Sequence, residues 1–136
     1  MTVYVLDSSA VIRYIDSESG ADRVNAILKM CATRQARVCI SAVQWGEVAG
    51  NLRMRLGASH EMRILSSLLP SESEIVPASG DRSVRAAALK VDRKIGYADA
   101  FAIELAVDSA DHILVTADYD FKAVDDLARI EFLPSK

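Results

Sequence analysis

The chain has few of the residues that characterise disulfide-rich or membrane proteins: two cysteines, three prolines and six glycines in 136 residues. Two cysteines cannot build a disulfide framework, and Cys31 and Cys39 lack metal-ligand spacing. Cys39 lies in an apolar segment and is expected to be a small buried residue. No apolar run approaches the ~18 residues that cross a bilayer. No charged leader precedes an apolar run at the start. We therefore expect a cytoplasmic protein that has no contact with a membrane.

Phosphate-binding loops of the GxGxxG and Walker types are also absent. The net charge of −3 argues against a protein that coats nucleic acid, although a local basic stripe could still serve a nuclease. The apolar fraction of 51% makes disorder unexpected. A chain of this length forms one domain with one core, and we assign residues 1–136 to it.

Short apolar segments alternate with helical patterns along the chain. We predict strands at 2–6, 37–40, 74–76, 112–115 and 130–133. We predict helices at 8–15, 21–32, 42–56, 59–69, 81–93, 98–107 and 119–127. Ser41, followed by Gln44 three residues later, predicts a capping box at the start of the third helix. The alternation indicates an α/β fold, with three α/β/α layers around a mostly parallel sheet of four to five strands.

Four acidic residues occupy separate positions at the ends of these segments. Asp7 and Asp118 each follow a predicted strand, and Asp99 opens a helix. Glu47 lies beyond the first turn of its helix among apolar neighbours, where a lone carboxylate is unfavourable. Because loops after parallel strands converge at one edge of a sheet, we expect the four carboxylates to meet. Carboxylates that meet need a cation, so the pattern predicts a metal-dependent phosphodiesterase site.

Each acid also has a structural explanation. Asp7 and Asp118 could cap the helices that follow them. Asp99 lies in a first turn, where a negative charge interacts favourably with the helix dipole. Glu47 could belong to a solvated helix face. The coincidence of four acids at convergent positions favours a shared site over four separate explanations.

Other reaction chemistries fit the residues less well. Ser8 and Ser9 follow Asp7, but no histidine is placed to activate a serine nucleophile. An aspartyl-phosphate phosphotransferase would have a second aspartate two residues after the first, where this chain has Ser9.

The remaining charged residues carry weaker signals. Asp120 could join Asp118 at the same edge or be an exposed helix residue. Glu104 is interpreted as an ordinary surface acid. Arg85, Arg93 and Lys94 belong to a basic stretch that could contact phosphates of a nucleic acid, or simply form a solvated helix face.

Four motifs, in order and over nearly the whole chain, resemble those of the PIN domain, in particular the compact VapC-type toxin ribonucleases of prokaryotic toxin–antitoxin pairs. The motifs are Val5-Leu6-Asp7-Ser8-Ser9-Ala10, Ile40-Ser41-Ala42-Val43 with Glu47, Tyr97-Ala98-Asp99-Ala100, and Leu114-Val115-Thr116-Ala117-Asp118-Tyr119-Asp120-Phe121. Gly96 stands where many relatives have proline, which affects the stiffness of a loop and leaves the acids in place.

The resemblance implies a PIN-like fold and an endoribonuclease that hydrolyses RNA with Mg²⁺, for which Mn²⁺ can substitute. It implies a homodimer and a cognate antitoxin as protein partner. The implied catalytic and metal-binding acids are Asp7, Glu47, Asp99 and Asp118, supported by Ser9 and Thr116, with Asp120 beside them. The alternative is a non-catalytic module that uses the same fold to bind a protein.

Overall fold

A computed structural model describes residues 1–136, in which one or two helices separate each strand from the next. The strands are β1 Val3–Leu6, β2 Arg37–Ser41, β3 Glu74–Val76, β4 His112–Thr116 and β5 Arg129–Phe132. The α-helices are α1 Ser8–Ile15, α2 Ala21–Ala32, α3 Ala42–Leu56, α4 Ala58–Leu68, α5 Gly80–Arg93 and α6 Tyr97–Ala106. A 3₁₀ helix covers Tyr119–Val124, so the helix predicted over 119–127 is shorter and more tightly wound. The other predicted elements differ by at most one residue at either end.

All five strands are parallel and form one sheet in the order β3-β2-β1-β4-β5. Leu6 at the end of β1 pairs with Ile40 of β2 and Val115 of β4, so the carboxyl ends of the three central strands lie side by side. The strand order reverses between β1 and β4, and open α/β sheets form ligand crevices at such a point. The predicted α/β fold with a parallel sheet is confirmed.

The core has two halves because successive strand residues face opposite sides of the sheet. Tyr4 and Leu6 pack against apolar residues of α1, α2 and α3, whereas Val5 packs against α6 and the 3₁₀ helix. Both faces of β1 are therefore covered, which explains its continuous apolar sequence. Helix α5 packs on the outer side of α6. None of the helices combines the length and the apolar character that a membrane span requires.

Glu104 on α6 is buried, so its interpretation as a surface acid was wrong. The Arg82 Nη1 donates to both of its carboxylate oxygens, at 2.9 and 3.0 Å, and the Arg85 Nε donates to Oε1 at 2.9 Å. A buried carboxylate is tolerated when charged donors compensate for its lost hydration. Because both arginines lie on α5, these ion pairs fasten α5 to the helix that carries Asp99.

Gly20 joins α1 to α2 with a φ of 90°, a left-handed conformation that L side chains rarely adopt. A Cβ atom added there would lie 2.8 Å from Cβ of Leu133. We expect Gly20→Ala to lower the free energy of unfolding by about 1–3 kcal/mol, measured by chemical denaturation. Gly50→Ala in α3 is the control: its added Cβ meets nothing within 4 Å, and it should raise stability by about 0.5–1 kcal/mol. Equal effects of the two changes would show that a side chain at position 20 meets neither strain nor a clash.

Candidate active site

Asp7 lies at the carboxyl end of β1 and is almost completely buried, with 2% of its surface exposed. Its Oδ1 accepts a hydrogen bond from the Ala10 amide at 2.9 Å, so Asp7 does cap α1. Its Oδ2 accepts a hydrogen bond from the Thr116 hydroxyl at 2.6 Å. The Ser9 hydroxyl lies 2.8 Å from Oδ1 and 3.0 Å from Oδ2. Capping therefore uses only part of the hydrogen-bonding capacity of this carboxylate.

The hydroxyls of Ser9 and Thr116 connect the ends of two neighbouring strands. Ser9 Oγ accepts a hydrogen bond from the Ala117 amide at 2.9 Å, and Thr116 Oγ1 accepts one from the Asp118 amide at 2.9 Å. Both hydroxyls also contact the carboxylate of Asp7. The backbone of Asp118 is thereby fixed relative to Asp7.

Burial raises the pKa of Asp7 from 3.8 to about 6. Hydrogen bonds from Thr116, Ala10 and Ser9 lower the pKa and so oppose this shift, while the negative charge of Asp118 raises it further. Asp7 therefore ionises less readily than an exposed aspartate and holds its charge in an unfavourable setting.

Asp99 lies in the first turn of α6 and is half-buried. Its pKa is raised from 3.8 to about 6, first by burial and then by the negative charges of Asp118, Asp7, Glu47 and Asp120. No hydrogen bond offsets these effects. The acids predicted from the sequence therefore share one electrostatic environment, with Asp99 among them.

Glu47 is exposed, which corrects the expectation of an apolar setting. Successive residues of a helix point about 100° apart, so Gln44 and Val48 face the interior of the protein while Glu47 faces solvent. Glu47 Oε1 accepts a hydrogen bond from the Ser8 hydroxyl at 3.3 Å. This contact brings Glu47 beside the loop that carries Asp7.

Asp118 and Asp120 complete the group of acids at this edge of the sheet. The Asp120 amide donates to Asp118 Oδ1 at 2.9 Å, so Asp118 also caps the 3₁₀ helix. Asp120 is exposed and lines, together with Asp99 and Lys94, a cavity of about 290 Å³. This cavity opens directly beside the carboxylates.

The three basic residues singled out in the sequence occupy different surroundings. Arg85 is ion-paired with the buried Glu104, and Arg93 is ion-paired with Asp126. Lys94 follows α5 in a left-handed conformation, forms no ion pair, and lines the cavity that Asp99 and Asp120 share. Of the three, Lys94 has its charge available beside the acids.

None of the ion pairs in the structure includes a carboxylate of the acidic edge, which we define as Asp7, Glu47, Asp99, Asp118 and Asp120. Carboxylate oxygens are hard ligands that suit Mg²⁺ and Mn²⁺. However, no three acidic, histidine or cysteine side chains lie close enough to hold one ion among them as they stand. The donor set fits an ion that takes one or two carboxylates directly and retains several waters, as Mg²⁺ does, but does not form an all-protein cage.

Gln44 belongs to this site, although its spacing from Ser41 predicted a different role. The predicted capping box is wrong, because Ser41 Oγ accepts from the Val43 amide, at 3.1 Å, and the side chain of Gln44 points elsewhere. Gln44 Oε1 accepts from the Ser8 amide at 2.7 Å, and its Nε2 donates to the Ala98 carbonyl at 2.6 Å. Its position four residues before buried Val48, on the inner face of α3, was the available signal.

Comparisons with known proteins identify the family and the fold. The family model of the PIN domain matches residues 4–127. No match was found among curated proteins.

Several solved structures share the fold at low sequence identity. VapBC2 from Rickettsia felis, bound to a DNA fragment of its promoter, matches with a TM-score of 0.77 and 20% identity, over 98% of this chain and 100% of that one. A toxin–antitoxin complex from Klebsiella pneumoniae matches with a TM-score of 0.72 and 19% identity, over 98% and 99%. VapC20 from Mycobacterium tuberculosis, a toxin that cleaves the sarcin–ricin loop, matches with a TM-score of 0.69 and 18% identity, over 98% and 100%. These likenesses concern the fold, and the family model covers most of the sequence: the chain belongs to the PIN domain family.

Proposed function

We propose that this chain is a metal-dependent endoribonuclease that hydrolyses RNA phosphodiester bonds as the toxin of a toxin–antitoxin pair. One observation carries the proposal: burial and then the negative charges of four other acids raise the pKa of Asp99, and no basic side chain forms an ion pair with any of the five. Such a group favours binding of a divalent cation. Membership of the PIN family, and the likeness to a toxin that cleaves the sarcin–ricin loop, support RNA as the substrate.

Asp7, Glu47, Asp99 and Asp118 would hold Mg²⁺, or Mn²⁺ in its place, one or two of them directly and the others through waters of the ion. A bound divalent ion lowers the pKa of its water and neutralises the charge that develops on the phosphate and the leaving oxygen. The hydroxyls of Ser9 and Thr116 keep Asp7 in one orientation. Asp99 accepts no hydrogen bond from the protein, so its oxygens remain available to the ion and its waters.

Lys94 would bind a phosphate group next to the one that is cleaved. Its ammonium group forms no ion pair and lines the cavity that also contains Asp99 and Asp120. A lysine is a compact point charge suited to a phosphate oxygen. Arg85 and Arg93 are already paired with Glu104 and Asp126, so we expect a smaller contribution to RNA binding from them.

A cognate antitoxin and a second copy of the chain are the proposed protein partners. The related structures from Rickettsia felis and Klebsiella pneumoniae are toxin–antitoxin assemblies. In this chain, Met54 and Met62 on α3 and α4 are 81% and 73% exposed and offer apolar surface to a partner.

The alternative is a non-catalytic binding module with the PIN fold. Two observations favour it: Asp7 and Asp118 both act as helix caps, and the acids do not close on a single point. In such a module the carboxylates would serve structure or docking. RNA cleavage that requires a metal ion separates the two functions.

We expect Asp99→Asn to abolish Mn²⁺-dependent cleavage of total cellular RNA, with a loss of at least about 100-fold. This exceeds the ~10–100-fold effect of losing a group that only supports a metal ligand. EDTA should have the same effect on the parent protein, and Mn²⁺ should raise the Tm of the parent more than that of Asp99→Asn. Gel analysis and sequencing of the RNA ends measure cleavage.

Asp92→Asn is the matched control, because Asp92 is an exposed acid of α5 that forms no ion pair. This variant should cleave RNA as the parent does. Cleavage that persists in EDTA or in Asp99→Asn would overturn the nuclease mechanism, and the lack of any cleavage by the parent would favour the binding module. Cleavage of DNA but not of RNA would overturn the proposed substrate.

The raised pKa values of Asp7 and Asp99 predict how the stability of the metal-free protein depends on pH. Each carboxyl has a pKa of 3.8 in the unfolded chain and about 6 in the folded one. The folded state therefore binds more protons between these values, and stability falls as the pH rises from about 4 to about 6. At pH 7, Asp99→Asn should be more stable than the parent by about 1–2 kcal/mol, after allowance for solvent screening.

Urea denaturation in EDTA at pH 3.5 and pH 7 measures this difference. The gain from Asp99→Asn should be small at the lower pH, where the parent is protonated, and Asp92→Asn should behave as the parent at both. A gain of the same size at pH 3.5 would show that charge repulsion is not its cause.

We expect Lys94→Gln to raise the KM for RNA several-fold and leave kcat almost unchanged. Removing one phosphate contact should lower the slope of log Kd against log salt by about one. Lys29→Gln on α2, an exposed lysine away from the acidic edge, is the control. An unchanged slope for Lys94→Gln would exclude Lys94 from the RNA path.

A further inference from the structure

We propose that Gln44 is a positioning residue that sets the distances between the acids of the site; this inference rests on the proposed nuclease function. Gln44 lies on α3, one turn before Glu47. Its side-chain amide contacts Ser8, the residue after Asp7, and Ala98, the residue before Asp99. A single side chain thus connects the three segments that carry Asp7, Glu47 and Asp99.

Both ends of the amide are used. Oε1 accepts the Ser8 N–H at 2.7 Å, and Nε2 donates to the Ala98 carbonyl oxygen at 2.6 Å. An amide is the side chain that offers a donor and an acceptor on one planar group, so it can connect an N–H of one helix to a C=O of another. Methionine and leucine could fill the same space but make neither bond.

The burial of Gln44 means that water cannot replace its two hydrogen bonds, so they hold the connected segments at fixed distances. The residue is completely buried, at 0% exposure. The Ser8 N–H opens α1 and has no partner within that helix. Asp7 satisfies the Ala10 amide of the same helix, and Gln44 satisfies the first one. Without Gln44, the start of α1 would keep only the exposed contact of the Ser8 hydroxyl with Glu47 on α3, and would lose its hydrogen-bonded connection to α6.

The consequence concerns the geometry of the acids. Asp7 is fixed by Ser9 and Thr116, but neither hydroxyl contacts α3 or α6. Gln44 supplies that second constraint, because it joins the start of α1 to the start of α6 through α3. Displacement of α6 relative to α1 would change the separation of Asp99 from Asp7, and hence the affinity for a shared ion.

Gln44→Met tests the proposal, since methionine matches glutamine in length and lacks both hydrogen-bonding groups. We expect Mn²⁺ binding, measured by electron paramagnetic resonance on the RNA-free protein, to weaken at least about tenfold, as for other groups that support metal ligands. The kcat of RNA cleavage should fall, whereas the Kd for RNA measured in EDTA should stay close to that of the parent. Backbone amide hydrogen exchange at Ser8 should accelerate.

Gln44→Glu is the second variant, which keeps the acceptor for Ser8 and loses the donor to Ala98. The added negative charge of this variant would by itself strengthen Mn²⁺ binding. A lower kcat at saturating Mn²⁺ would therefore show that the acids are misplaced, because weaker attraction of the ion could not explain it. Ile27→Ala on α2 is the stability control: Ile27 is fully buried in the half of the core away from α6. This variant should lower Tm and leave Mn²⁺ affinity unchanged.

The outcomes separate the two proposals. If the parent binds Mn²⁺ and cleaves RNA, and both Gln44 variants do so equally well, Gln44 is not a positioning residue and the nuclease function stands. If Ile27→Ala weakens Mn²⁺ binding as much as Gln44→Met at a matched loss of Tm, the effect is one of general stability and the Gln44 proposal is wrong. If the parent neither binds Mn²⁺ nor cleaves RNA, the proposed function is wrong and the role of Gln44 falls with it.

Discussion

A carboxylate at the end of the central strand of a parallel sheet lies where several segments of the chain meet, and Asp7 is held there by donors from two of them. The Ala10 amide belongs to the helix that follows, and the Thr116 hydroxyl belongs to the neighbouring strand. Burying a charged group without compensation is strongly unfavourable, so these donors are a condition for placing Asp7 in the core at all. The edge formed by β1 and β4 depends on this one hydrogen-bonded carboxylate.

Much of this arrangement follows from the sequence because parallel strands impose a direction. Every strand of the sheet runs the same way, so a residue directly after β1 and one shortly after β4 must emerge at the same edge. Asp7 and Asp118 satisfy that condition from their positions alone. Asp99 reaches the same edge because α6 runs back to the amino edge before β4 begins. Local apolar patterns also predict the bounds of the elements, since both sides of the sheet are covered by helices.

The residues that the sequence did not reveal are those whose partners lie far along the chain. Glu104 pairs with Arg82, 22 residues away, and only the packing of α5 against α6 brings them together. Gln44 contacts Ala98, 54 residues away, although its spacing from Ser41 matched a local capping motif. The apolar neighbours of Glu47 in the sequence predicted an apolar setting, but the helix directs its side chain towards solvent. The spacing of residues in the sequence predicts helices and strands well. It predicts much less well which buried polar groups form hydrogen bonds or ion pairs with each other.

The two buried acids of the structure show how differently the fold treats a negative charge. Glu104 is 1% exposed and receives two arginines, so its charge is compensated by the chain's own cations. Asp7 is 2% exposed and receives only neutral donors, and burial raises its pKa to about 6.

Neutral donors orient a carboxylate but cancel none of its net charge, so the field of Asp7 still acts on Asp99, whose pKa it helps to raise. Arg82 and Arg85 compensate the charge of Glu104, and basic residues placed in the same way could compensate Asp7 and Asp99. Lys94 already lines the cavity beside Asp99 without forming an ion pair. The uncompensated charge at this edge is therefore a local property of the site, and perturbed carboxylates of this kind concentrate where a protein binds ions or carries out chemistry.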